Sequence, residues 1–268
     1  MSSQGNDTTV RPAPDSKLGT ALRTAYSIVL IAVCCVITLT LMGVAVICSP
    51  FDPSGRTHQR LFRFWARSVL ALCRVKVKVI EIDPIDLSRN YVVVSNHASV
   101  VDPVVLIAHL PVPVRFLAKE ELFRIPIMGT YMRRTGHIPV KRGSTKSALR
   151  SLRDASRVLG RSRMSLLLFP EGTRSRTGLR DFKEGAALLA INSQMPVLPV
   201  GLIDSEHVVR PGSLIVAGGS VRLNIGVPIE PTTFPPVDQR EELTELLRSQ
   251  VSRLCCSTVD IQGVAPRG

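Results

Sequence analysis

Apolar and polar positions follow three different rhythms along this chain. From Ser27 to Cys48 the run SIVLIAVCCVITLTLMGVAVIC carries no charge. At about 1.5 Å per residue a helix of that length measures roughly 33 Å, enough to cross a hydrocarbon core. A buried helix of a soluble protein seldom runs so far without a polar face. A cleaved signal would have a shorter apolar region and a small-residue cleavage pattern near Cys48. The run therefore reads as a membrane segment. Between Arg56 and Cys73 the rhythm becomes helical: Leu61, Phe62, Trp65, Val69 and Leu72 recur beside Arg60, Arg63 and Arg67. Two placements fit that period. One is a basic amphipathic helix at the headgroup level with Trp65 as its interfacial anchor; the other is a helix that faces a protein core.

From Val75 the pattern changes again. VKVKVIEI alternates as a half-buried strand does, and YVVVSN (91–96) is a buried strand ending in polar residues. VRFLAK, HIPV, SLLLFP, VLPVGLI, LIVAG and VRLNIGVPI read as further strands. Helices are predicted over Pro103 to His109, Ile125 to Arg134, Ser144 to Leu159, Ala186 to Ile191 and Gln239 to Cys255. Strands that alternate with helices imply an α/β domain with a mixed central sheet flanked by helices. The expected organisation is a flexible tail over 1–24, membrane-associated helices over 25–74, a catalytic domain over 75–256 and a C-terminal tail over 257–268.

Composition narrows the partners. Apolar residues at 45% give material for a sizeable core, and 34 basic against 21 acidic residues leave a formal charge of +13. That excess suits an anionic bilayer or phosphorylated small molecules. Aromatics at 4% are too few to stack bases along a single strand, so nucleic acid is not expected as a partner. The six cysteines, three of them inside the apolar run, show neither a disulfide framework nor metal spacing, so a reducing compartment and no metal are expected. Arg56, Arg60, Arg63 and Arg67 after the apolar run outnumber Arg11, Lys17 and Arg23 before it. The charge rule thus favours a catalytic domain on the cytoplasmic side of the cell membrane.

In α/β sheets the ligand crevice lies beyond the carboxyl ends of the strands. Two strand ends here are conspicuously polar: Asn96-His97, and Glu171-Gly172-Thr173-Arg174. His97 and Asp102 lie five residues apart, about 140° on one continuous helix, so they meet only if His97 sits in a turn and Asp102 opens the next helix. The strand, Asn-His-Ala-Ser and then Asp-Pro supply that arrangement. A carboxylate on one imidazole nitrogen leaves the other as a base. Asp before Pro is also an ordinary helix start, and either role fits the two residues alone. No Gly-x-Ser-x-Gly turn offers a nucleophile. A base at His97 would then act directly on a substrate hydroxyl, favouring transfer between two bound substrates.

Gly172 permits close backbone approach, and Arg174, Arg176, Arg180 and Lys183 gather charge within ten residues. Lys141, Arg142 and Lys119 add positive charge at two other strand ends. Each cluster alone reads as a solvated loop; together they form a rim of one sign, suited to phosphate-bearing ligands.

On these residues the chain resembles the glycerolipid acyltransferase family, most closely its 1-acyl-sn-glycerol-3-phosphate acyltransferases. Four blocks match in order: NHASVVD, GHIPVKR, FPEGTRS and MPVLPV. The first and third together are specific. His137 and Pro139 depart from the second block but spare its Gly and Arg. The resemblance implies a glycerol-3-phosphate acyltransferase-like fold preceded by an N-terminal membrane-associated helical pair. It implies His97 and Asp102 as the catalytic pair and Arg142 as a glycerophosphate ligand. Glu171, Gly172 and Arg174 would bind substrate phosphate, Lys119 would be a further basic substrate contact, and Pro199 would shape a wall. The implied reaction carries an acyl group from acyl-CoA or acyl carrier protein to the sn-2 hydroxyl of lysophosphatidic acid. The product is phosphatidic acid, and no cofactor is needed. The same chemistry on glycerol-3-phosphate, a lysophospholipid or an aminoacyl lipid is the alternative, as is a non-catalytic membrane protein that binds acidic lipids.

Overall fold

The computed structural model describes residues 17–52, 55–81, 84–140, 164–175, 178–209 and 216–256. The expected helix over 144–159 and the residues Lys141, Arg142 and Arg176 lie outside them.

Seven strands form one sheet: β1 (Val75–Glu81), β2 (Val92–Ser95), β3 (Val114–Lys119), β4 (Ile138–Val140), β5 (Ser165–Leu168), β6 (Val197–Ile203) and β7 (Gly219–Ile225). Their order is β1-β7-β6-β2-β5-β3-β4. The block β6-β2-β5-β3-β4 is parallel throughout, and the antiparallel pairing of β6 with β7 turns β7 and its parallel neighbour β1 the other way. β2 is buried on both faces, which explains its unbroken apolar run. Its side chains alternate: Val93 joins a core beneath α3 (Asp102–His109) and α2 (Arg56–Leu72). Val92 and Val94 join a second core beneath α5 (Gly185–Ser193) and α6 (Arg240–Cys256). α4 (Met128–Arg134) precedes β4. LIVAG and VRLNIGVPI were expected as two strands. Among the described residues only β7 forms, with a lone bridge at Val216. Gly218, with no side chain to pack, separates the two. Beyond β7 the VPI end of the run is reduced to an antiparallel bridge between Ile229 and Val197, with Pro228, which cannot donate, interrupting the ladder between β7 and that bridge.

At the N-terminus α1 (Lys17–Cys48) starts inside the span expected to be a flexible tail. Leu18, Ala21 and Leu22 are good helix formers and continue into the apolar run without a breaker. One stripe of α1 is engaged along its length. Ser27, Leu30 and Ala45 are buried, and Cys34 and Thr38 half-buried. Ser27 Oγ accepts from Val216 N–H at 3.3 Å, and Thr38 Oγ1 accepts from the Trp65 indole N–H at 2.8 Å. The opposite face shows Val29 (62% exposed), Val36 (64%) and Ile47 (72%) to the surroundings.

For α2 the structure selects the core-facing placement. Ala66 and Leu70 are buried, and Phe62 and Trp65 pack on the core and stack on each other, with centroids 5.6 Å apart. Trp65 is therefore a joint between α1 and α2, not an interfacial anchor, because its indole N–H already has a protein partner. Arg63 donates to the carbonyls of Leu110 and Pro111, where the chain leaves α3. These are acceptors that a helix end leaves without an internal donor.

Candidate active site

The carboxyl ends of β2, β5, β3 and β6 all reach one sheet edge, and the polar strand ends read from the sequence meet there. Asn96 continues β2 by a side-chain route. Its Nδ2 donates to Leu202 O at 2.9 Å while its Oδ1 accepts from Leu202 N–H at 2.8 Å. This two-point attachment to β6 replaces one rung of the ladder and fixes where the next residue, His97, leaves the sheet.

His97 and Asp102 face each other across a tight turn. The imidazole Nδ1–H donates to Asp102 Oδ2 at 2.8 Å. The same oxygen accepts from Ala98 N–H and Ser99 N–H, each at 2.7 Å. Asp102 thus ties the turn ahead of α3 and orients the imidazole at once. It is not the helix cap that Asp before Pro suggested, because Val101 takes the N-cap position without a side-chain bond and Asp102 is already the first helical residue. Its carboxylate is fully buried, while the His97 side chain keeps 17% of its surface. The ring lies on Phe169, centroids 4.2 Å apart and planes 20° from parallel. Nε2, the nitrogen turned from Asp102, has no hydrogen-bond partner among the described residues.

The segment after β5 wraps around this pair. Glu171 is buried, and its two oxygens accept from His97 N–H at 2.6 Å and Arg180 N–H at 3.0 Å. Burial raises its carboxyl above the ordinary value, against the pull of those two amides. Ser175 N–H donates to His97 O at 2.8 Å. His97 is therefore held through its ring, its amide and its carbonyl. Gly172 adopts φ +73°, and a Cβ there would come within 2.9 Å of Lys183 Nζ, so the lysine lies flat against the glycine backbone. Arg174, Arg180 and Lys183 are exposed around this loop. Lys119 sits at the end of β3 on the same edge, half exposed and 3.3 Å from Glu121. Pro199 lies inside β6, in register with Val94, and its carbonyl accepts from Gly226 N–H at 2.9 Å.

The sequence reading thus finds His97, Asp102, Glu171, Gly172, Arg174 and Lys119 on one edge, with Pro199 within the sheet behind it. It did not anticipate the bolt made by Asn96, the stacking surface of Phe169 or the clasp from Ser175. Only the polar dipeptide Asn96-His97 hinted at the first.

An imidazole held by a buried carboxylate at the carboxyl edge of a mixed sheet, beside an arginine-bearing loop, is an arrangement suited to proton abstraction from a bound hydroxyl. Comparison with known proteins gives the class, acyltransferase: the family model described as Acyltransferase matches residues 76–203. The crystal structure of the 1-acyl-sn-glycerophosphate (LPA) acyltransferase PlsC from Thermotoga maritima superposes with a TM-score of 0.71 at 25% identity, covering 89% of this chain and 97% of that one. A 1-acyl-sn-glycerol-3-phosphate acyltransferase of Borreliella burgdorferi is 31% identical over 183 residues, 68% of this chain and 72% of that protein. That of Limnanthes douglasii is 33% identical over 151 residues, 56% of this chain, which spans only 51% of the plant protein's length. The chain belongs to the 1-acyl-sn-glycerol-3-phosphate acyltransferase family.

Proposed function

We propose that this protein is a membrane-bound acyltransferase that carries a fatty acyl group from an acyl thioester, acyl-CoA or acyl carrier protein, to the sn-2 hydroxyl of lysophosphatidic acid. The product is phosphatidic acid. The observation that carries this reading is the 2.8 Å bond from His97 Nδ1 to the buried Asp102, which leaves Nε2 as the base. Nε2 takes the proton of the lipid hydroxyl as its oxygen attacks the thioester carbonyl. The imidazolium is stabilised by Asp102, and its proton then leaves with the departing thiol. With no separate nucleophile in the scheme, both substrates occupy the site together.

Arg174 and Lys183, with Arg142, two residues beyond β4 in the sequence, are assigned to the lipid phosphate. Lys119 adds charge to the same edge. Glu171 takes a different role from the one the resemblance implied. Two backbone amides engage its oxygens and its charge opposes a phosphate, so it positions His97 and the 178–183 segment. Gly172 gives Lys183 its path, and Pro199 belongs to the wall of the sheet.

The placement of α1 supports membrane attachment from one side. Its inner stripe packs on the domain along most of its length, so its outer apolar face suits burial in one leaflet. The excess of arginines after that helix favours a catalytic domain on the cytoplasmic side. The test is acyl transfer from acyl-CoA to lysophosphatidic acid by the purified full chain in detergent, beside His97→Ala. Turnover by the wild type, lowered at least about 100-fold in a folded His97→Ala, is the expected result. Equal rates in the two proteins would reject the mechanism. Arg174→Ala should chiefly raise KM for the lipid.

A further inference from the structure

Between β3 and α4 the chain makes two successive turns, over Glu120–Arg124 and over Pro126 to Met128. Three apolar side chains stand out from this short stretch: Leu122 at 36%, Ile125 at 43% and Ile127 at 46% exposure. A single exposed leucine needs no explanation, but three apolar residues grouped on one turn form a patch.

The turn is built rather than loose. Ile127 adopts φ 63° and ψ −60°, and Met128 N–H donates to Pro126 O at 2.6 Å, closing a three-residue γ-turn. A positive φ is a genuine outlier for a β-branched residue, and such strain persists only where the surroundings impose it. Those surroundings are visible. Gly129 presses so closely on the Phe123 carbonyl that a Cβ would collide with it, and Arg133 donates to that same carbonyl at 2.6 Å. Phe123 points inward, buried with Tyr131, Met132 and Ala45 of α1. One aromatic residue pegs the turn to the protein while its isoleucines are turned outward.

Its position matters most. On one side it continues directly from Lys119 on the edge that bears His97. On the other it meets the C-terminal end of α1, where Arg134 donates to Val46 O at 3.0 Å and Ile47 and Phe51 are 72% and 86% exposed. Arg124, Arg133 and Arg134 are exposed on the same segment.

We propose that the turn spanning Leu122 to Ile127 is a second membrane-contacting element, which sets its apolar tips into the headgroup–acyl boundary of an anionic lipid surface beside α1. The inference rests on the reading of α1 as a leaflet-embedded helix. Two features point to a bilayer as the occupant. Phe123 seats the turn against Ala45, beside the exposed Ile47 of α1. Arg124, paired with Glu120, and Arg133 and Arg134, bound to backbone carbonyls, stay exposed next to it for anionic headgroups. The turn would hold the carboxyl end of β3, and with it the catalytic edge, at the depth where a lipid hydroxyl lies.

The experiment uses the full chain reconstituted in vesicles of phosphatidylcholine and phosphatidylglycerol, with and without brominated acyl chains. Leu122→Trp and Ile125→Trp are compared with Leu87→Trp, an exposed control before β2 on the opposite sheet edge, and with Val36→Trp on α1. After subtraction of the Trp65 signal, brominated chains should reduce the added emission about twofold at positions 122, 125 and 36 and leave position 87 unchanged. Quenching at 36 without quenching at 122 and 125 would overturn the turn proposal alone. No quenching at 36 would overturn the embedding of α1 and the proposal with it. Neither readout requires turnover, so the catalytic reading stands or falls separately.

Discussion

Replacing His137 with phenylalanine exchanges a hydrogen-bond acceptor for a ring that acid cannot charge. His137 lies buried at the start of β4, stacked on Phe116 with planes 4° apart and edge-on to Phe62. Its Nδ1 accepts from Phe116 N–H at 3.2 Å, which requires the neutral ring. Burial first, and the nearby Arg115 guanidinium second, lower its pKa from 6.5 to about 3. The folded chain therefore binds fewer protons here than the unfolded chain. The stability this site contributes is intact above the unfolded value and is lost as pH falls from 6.5 toward 3. At roughly 1.4 kcal/mol per unit, the wild type loses about 3 kcal/mol through this residue by about pH 4.5. His137→Phe keeps the stacking but strands the Phe116 amide, a cost of about 1–3 kcal/mol at every pH. Urea unfolding in detergent should show the variant weaker near neutrality and the two curves crossing at about pH 4–6. A gap that stays constant from neutrality to about pH 4 would refute the reasoning.

Asp102→Asn keeps a side-chain oxygen for the Ala98 and Ser99 amides but loses the charge that stabilises an imidazolium. Acyl transfer should fall about 100-fold or more with unfolding nearly unchanged, and full activity would reduce Asp102 to a tie for the turn before α3. Glu171→Gln leaves one amide of the pair from His97 and Arg180 without its acceptor, so kcat should fall with little change in KM and about 1–3 kcal/mol of stability lost. A purely raised KM would instead place Glu171 on the substrate. Gly172→Ala must strain the backbone at φ +73° and displace Lys183, and a kinetic titration with lysophosphatidic acid should show the KM rise that follows.

The site was partly legible because its chemistry is local. His97 and Asp102 are five residues apart, and strand, turn and Asp-Pro follow one another in the chain. What escaped the sequence acts across long separations. Asn96 finds Leu202, 106 positions on, and Glu171 reaches back 74 positions to the His97 amide. No periodicity announces such partners. The placement of α2 was ambiguous because a core-facing helix and an interfacial one share a period of 3.6 residues, and only the partner of Trp65 separates them. α1 carried a quieter signal. Ser27, Cys34, Thr38 and Ala45 fall on one face among larger residues, as small side chains do where one helix packs closely on other protein.

That engaged stripe has a practical consequence. A truncation after Cys48, designed to release a water-soluble enzyme, would uncover Trp65, Phe123 and Met132 and leave the Trp65 N–H and the Val216 amide without their partners on α1. The fragment would expose fresh greasy surface and aggregate. Preparations for structural or kinetic work should retain the first helix and provide a surfactant or nanodisc to cover its outer side.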